Sequence, residues 1–366
     1  VWPIDRVETK DRDWESVAVF HRPRGTCRPA ATFSPLATFW TLMFFFRRSA
    51  ALLLFVSSAS GGPAEELAFT VSAECRELVH PRRAAPADWP RQGGAVTLNA
   101  AWERDRSKPW FIELQREGGR WVEAGLAHDD RAGIGWGLRQ LAWGFRQMKE
   151  DGSFDCDDRF HSASFLVEAT ARSILLVESS SHAAAFRAEL AALEPPLLAC
   201  ARWMASPENF RAAEQQRIYT HRRFLLGCAF LQCALVHDDP ALRRTAAYFV
   251  EDGLRLQRAD GVFPEKGGHD SSYHAVSLIY LQRLVRIAPA ELRQPSWDAA
   301  LERGTEWLLG RIDAEGRVSA RGNTRTGAGQ ETGRSGAPKA INRREVALAL
   351  LGGGRREWAA KVLAAP

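Results

Sequence analysis

The chain has 366 residues, 49 Lys and Arg against 44 Asp and Glu, and 45% hydrophobic residues, an ordinary balance for one large or two modest folded domains. Its formal charge of +5 is uneven: residues 1–60 hold 8 of the basic and 5 of the acidic side chains, which leaves 41 against 39 downstream. That near-neutral remainder excludes binding to nucleic acid through a broad basic surface, and no run of about 20 apolar residues offers a membrane span.

The first 60 residues read differently from the rest. Met43 opens a run in which Phe44 to Phe46, Arg47 and Arg48 precede the apolar stretch Ser49 to Val56 and the small residues Ser57 to Gly62. A basic segment, a short apolar segment and small residues in that order predict a secretory signal peptide over 43–60, cleaved after Ser60, and hence a secreted or periplasmic protein without stable membrane insertion. Residues 1–42 then read as a disordered upstream extension, and 61–366 as a single catalytic domain; a membrane-anchoring arm over 1–56 is the competing reading. Cys27 lies in the extension, and the other five cysteines show no regular spacing and no zinc signature. Cys228 and Cys233 fall in an apolar helix and read as packing residues.

Along the chain, 86–128 is irregular, with Trp110 to Val122 fitting either a short β-hairpin or a broken helix pair around Gly118 and Gly119. From about residue 130 amphipathic helices alternate with Gly- and Pro-marked breaks. One break recurs: Asp151-Gly152-Ser153-Phe154, Asp260-Gly261-Val262-Phe263, and Glu315-Gly316-Arg317-Val318. Gly316 follows Gly261 by 55 positions and Gly261 follows Gly152 by 109, close to two such units, with a further turn expected near Ser206 to Asn209. A unit of that length holding two helices is a helical hairpin, and stacked hairpins bury a shared inner face. The expected fold is therefore all-α, an (α/α) toroid of about five to seven hairpins with little strand.

Four sets of residues could carry chemistry. The densest is Glu265, Lys266, His269, Asp270, Tyr273 and His274, where Pro264 and Gly267-Gly268 stop one helix and Ser271 or Ser272 caps the next, so that Tyr273 stands in its first turn. A second is Tyr219-Thr220-His221-Arg222-Arg223 before the apolar helix Phe224 to Val236. Cations at a helix start oppose its dipole, and an anionic ligand would resolve the conflict. A third, Asp157-Asp158-Arg159-Phe160-His161-Ser162, occupies a similar place in its own unit. The fourth is a basic, glycine-rich stretch from Arg317 to Arg344 with seven basic residues and one acid, including Asn323, Arg325, Gln330, Glu331, Arg334 and Lys339. Each also has a structural reading, as a solvated turn, a capped helix start or a core imidazole.

Nucleotide-binding glycine loops and metal motifs are absent from the sequence, so no cofactor and no metal is expected. Cations combined with a phenol and imidazoles fit β-elimination from a uronic-acid polysaccharide. The C5 proton of a uronate is a very weak acid until its carboxylate is neutralised, and a well-placed donor there contributes on the order of 3 kcal/mol. A base and an acid each add about 10²–10⁴-fold. Nearby cations such as His221, Arg222 or Lys266 favour a phenolate. The residues leave open which of Tyr273 and His221 is the base.

The segments THRRF at Thr220 to Phe224, PEKGGHDSSYH at Pro264 to His274, and DGSF with DRFHSASF between Asp151 and Phe165 resemble secreted α/α-toroid lyases. The chain is most similar, over roughly 125–345, to polysaccharide lyase family 38, whose members act on glucuronan and alginate. The resemblance implies a metal-independent lyase with Tyr273, His221 and Arg222 as catalytic residues. Lys266, Glu265, His269, His161, Arg223, Asn323 and Arg325 are the candidates for binding an acidic poly- or oligosaccharide. Lys266 stands where the resemblance would put an arginine; it neutralises charge but does not grip a carboxylate with two bonds. Two other functions compete: a glycoside hydrolase on the same toroid using Glu265 and Asp270, with Asp157 or Asp158 opposite, and a periplasmic carbohydrate-binding protein.

Overall fold

A computed structural model describes residues 77, 80–333 and 336–365. These belong to the second of two units into which the chain divides, Ala59–Pro366; the expected extension and signal peptide over 1–60, and Arg334, lie outside the described residues. Among the described residues there are α-helices, a few 3-10 turns and isolated bridges but no sheet, so the all-α expectation holds.

In chain order the helices are α1 (Thr97–Arg104), α2 (Glu117–Ala127), α3 (Arg131–Arg146), α4 (Arg159–Glu178), α5 (Arg187–Met204), α6 (Pro207–Gln215), α7 (Thr220–His237), α8 (Pro240–Arg255), α9 (Ser271–Ile287), α10 (Pro295–Leu309), α11 (Arg343–Gly352) and α12 (Arg356–Ala364). α4 and α7 are apolar or small around almost their whole circumference, the pattern of helices enclosed on every side. α8 and α10 keep a charged face and bury one stripe. Accordingly α2, α4, α7, α9 and α11 pack against one another in sequence, and each also packs against the helix that follows or partners it, α3, α5, α8, α10 and α12. An ion pair between Arg120 and Glu345 at 3.8 Å joins α2 to α11, the first and last of the five.

The recurring break is one structure used three times. At each, a backbone bond closes the turn, from Lys149 to Ser153, Arg258 to Val262, and Asp313 to Arg317, and the glycine takes φ of +85°, +93° and +85°. Each glycine also lies against a backbone carbonyl of a following outer helix. A Cβ at Gly152, Gly261 or Gly316 would stand 2.7, 2.3 or 2.3 Å from the carbonyl oxygens of Ala199, Arg303 and Lys361. Both the left-handed backbone and the close approach require glycine there. The break expected near Ser206 is of another kind: Ser206 caps α6, accepting from the Asn209 N–H, with Pro207 in the first turn.

Around Trp110 to Val122 the chain forms a 3-10 turn, Ile112–Arg116, that runs directly into α2, and not a β-hairpin. Gly118 and Gly119 do not break that helix. Gly118 and Gly137 let α2 and α3 touch, since a methyl group on either would meet the other's carbonyl oxygen at 2.5 Å. Cys228 and Cys233 are buried in α7, and the Cys228 thiol donates to the Tyr280 carbonyl at 3.2 Å. Among the described residues the cysteines are free, and no helix is long and apolar enough to cross a membrane.

Candidate active site

Three chain segments meet where α7 and α9 begin. The first is the tight turn Glu265 to Gly268, closed by paired backbone bonds of 3.1 and 3.0 Å, with Lys266 at φ +49° and Gly267 at +78°. One side of this turn bridges to Tyr219, and the Lys266 N–H donates to the Ile218 carbonyl at 2.9 Å. His269, just beyond it, bridges to Asn323 in the glycine-rich stretch. Residues far apart in sequence are thereby brought within one small volume.

Asp270 is the joint. It caps α9, its Oδ1 accepting from the N–H groups of Ser272 and Tyr273, both at 3.1 Å. Its Oδ2 accepts from the N–H groups of Arg325 and Thr326 at 2.9 and 2.8 Å. The cap is thus Asp270 and not Ser271 or Ser272, because one carboxylate can hold both the helix start and the crossing loop. Ser271 instead donates to the Ser319 carbonyl, and Ser272 accepts from the Asn342 N–H. Asp270→Ala is expected to cost about 3–5 kcal/mol, the lost cap plus two buried N–H groups left without acceptors. Urea unfolding would measure it, and a loss below about 1 kcal/mol would contradict the role.

Tyr273 stands in the first turn of α9, half-buried. The His221 ring lies 4.8 Å away, centroid to centroid. Glu265, fully buried, faces His221 from behind: its Oε1 is 2.7 Å from His221 Nδ1 and accepts the His221 backbone N–H at 3.1 Å. Arg325 closes the group, donating to Glu265 Oε2 at 3.1 Å and lying 3.6 Å over the Tyr273 ring and 4.6 Å over Tyr219. Arg222 covers Tyr219 at 4.4 Å, and its buried Nε has no hydrogen-bond partner among the described residues. Lys339 lies 5.4 Å from the Tyr273 ring.

Burial sets the protonation of the central pair. It drives the His221 imidazole well below its usual value, helped by the charges of Arg325, Arg222 and Lys339. Burial likewise pushes Glu265 up to about 7, against the pull of Arg325 and the His221 N–H. His221 is therefore uncharged. When Glu265 is ionised, Nδ1–H donates to Oε1 and Nε2 is left as a basic nitrogen. Glu331 supplies the second carboxylate: burial would raise it, but bonds from Lys266 and Lys339 and the Arg325 charge hold it down to about 2. Arg222, Lys266, Arg325 and Lys339 thus surround Glu265 and Glu331, with Asp158 acting on Arg222 and Asp270 held by backbone N–H groups, and these four cations are the groups that could meet an anion.

Of the expected catalytic residues, Tyr273, His221 and Arg222 come together. Among the expected binding residues, Arg325 and Lys266 join them, while Glu265 does not face outward: it is sealed behind His221 and orients it. Asn323 is also a support, accepting from the Ser271 N–H at 3.0 Å and donating to Thr326 at 2.7 Å. Arg223 is turned away, paired with Glu214 at 3.0 Å and Asp252 at 3.1 Å, because it follows Arg222 by one position and so lies on another face of α7. His269 packs on Trp307 and approaches the Arg321 carbonyl, and His161 packs against Phe165 at the start of α4. His274 is structural, accepting the Phe263 N–H and donating to Gly304, with burial pulling it down to about 4. Arg116, unmarked by any sequence motif, lies over the Phe165 ring at 4.2 Å, and its charge acts on His221.

Among the described residues no cluster of three His, Cys, Asp or Glu could hold a metal ion. Compared with family models, curated proteins and solved structures, the chain matches none.

Proposed function

We propose that this chain is a secreted or periplasmic α/α-toroid lyase that cleaves a uronic-acid polysaccharide, glucuronan- or alginate-like, by β-elimination, as its resemblance to polysaccharide lyase family 38 implies. The observation that carries the reading is the buried Glu265–His221 pair in ring contact with Tyr273 under the Arg325 guanidinium.

The uronate carboxylate enters beside Arg222, Arg325 and Lys339, whose charges lower the cost of enolate formation at C5. His221 Nε2, held in its basic tautomer by Glu265, removes the C5 proton. The electron pair forms the C4–C5 double bond as the C4–O bond breaks, and the Tyr273 phenol gives its proton to the leaving oxygen. Return of a proton from His221 to Tyr273 through solvent restores both groups. Neutral His221 suits this order, since an imidazolium could not accept the first proton.

A hydrolase would need two carboxylates facing the linkage. Asp270 is engaged by four backbone N–H groups and Glu265 by His221 and Arg325, so neither is disposed for that role. Incubating the full chain with a panel of uronic-acid polymers should produce a rise in ultraviolet absorbance from conjugated unsaturated ends. New reducing ends without that absorbance would favour the hydrolase, and binding without products a carbohydrate-binding protein.

A further inference from the structure

Where α2, α4 and α9 pack together, the buried carboxylates of Glu123 and Glu168 face three arginines. Arg172 pairs with Glu123 and bonds Glu168 at 3.0 Å, and Arg283 bonds Glu168 at 2.9 Å. Arg116, at the end of the turn that leads into α2, is the third. It is half-buried, its guanidinium lies 4.2 Å over the Phe165 ring, and no hydrogen bond or ion pair engages it among the described residues. Phe165 in turn meets His161 edge-on at 4.8 Å.

A partly desolvated guanidinium without a counter-ion is unfavourable unless an anion reaches it. Glu123 and Glu168 already have arginine partners. The Arg116 charge acts on Glu168 in α4 and on His221 in α7, which places the group within electrostatic reach of the Tyr273 cluster. Set over the Phe165 ring, the planar fork can hold a carboxylate with two parallel bonds.

We infer that Arg116, with Phe165 and His161 beside it, forms a second carboxylate subsite of the cleft and receives the acidic group of a sugar unit neighbouring the one that is cleaved. The inference rests on the lyase reading for its substrate class. It makes affinity depend on chain length: an oligouronate long enough to span both positions gains from Arg116, and a disaccharide seated at Tyr273 does not.

The test uses the full chain carrying Tyr273→Phe, so that binding is measured without turnover. Calorimetric titration with the disaccharide and the hexasaccharide of glucuronan is compared before and after adding Arg116→Ala. The expected result is a hexasaccharide bound about 10–100-fold more weakly, a disaccharide changed less than about threefold, and partial recovery with Arg116→Lys. Unchanged hexasaccharide affinity overturns the inference and leaves the lyase reading standing. Equal weakening of both lengths, with a lowered melting temperature in the alanine and lysine variants alike, also overturns it, because Arg116 is then structural. If the Tyr273→Phe protein binds neither these oligomers nor those of alginate, the lyase reading fails first and the subsite with it.

Discussion

Tyr273→Phe is expected to lower turnover of the cleaved uronan by about 10²–10⁴-fold while oligouronate affinity changes little. The ring would remain in place, because its position is set by the α9 first turn, the Asp270 cap and the contacts with His221 and Arg325. Only the phenolic hydroxyl is removed, so the loss belongs to kcat and not to KM. Comparing the two constants for the variant with those of the parent protein is the check. Near-parental turnover would remove Tyr273 from the proton-transfer path and leave it a packing residue.

The second large effect concerns the pair behind it. Because only the form with ionised Glu265 leaves His221 Nε2 basic, activity should rise with pH through about 7, where burial has placed the Glu265 carboxyl. The sign follows from the raised value: below it Glu265 holds a proton, offers that proton to Nδ1, and turns Nε2 into a donor. Glu265→Gln should abolish this limb and cost about 10²–10⁴-fold in kcat, because the amide no longer enforces the basic tautomer. His221→Ala should cost a similar factor above that pH, where the parent's Nε2 is available as base, and a smaller one below it. A pH profile that keeps its rising limb in Glu265→Gln would assign the titration to another group.

Much of the fold was legible because its signals are local. Gly152, Gly261 and Gly316 follow an acid or precede an apolar residue at a common spacing, and all three adopt the same turn. The convergence of Tyr273 with His221 and Arg222 was also foreseeable, since equivalent positions in successive hairpins fall at equivalent heights. Short-range rules failed where one side chain had two possible partners. Asp270 displaced the serines as cap because its second oxygen had a distant loop to hold, and Arg223 went to Asp252 because helix geometry turns adjacent residues to different faces. Gly118 and Gly119 read as breakers, yet Gly118 permits contact with α3 at Gly137 and Gly119 with α4 at Ala169.

The sequence by itself determined the helical class, the hairpin period and the residue types gathered at the start of α7 and α9, because glycine turns, caps and apolar periodicity act within a few residues. The tertiary structure alone decided which polar groups face one another. It set Glu265 behind His221 instead of toward a ligand, gave Arg325 and not Arg223 to the cluster, and left Arg116 without an ion pair among the described residues. Those assignments depend on pairings across about 40 to 60 positions of chain, and burial and Coulomb interactions between such groups follow from distance in space rather than along the sequence.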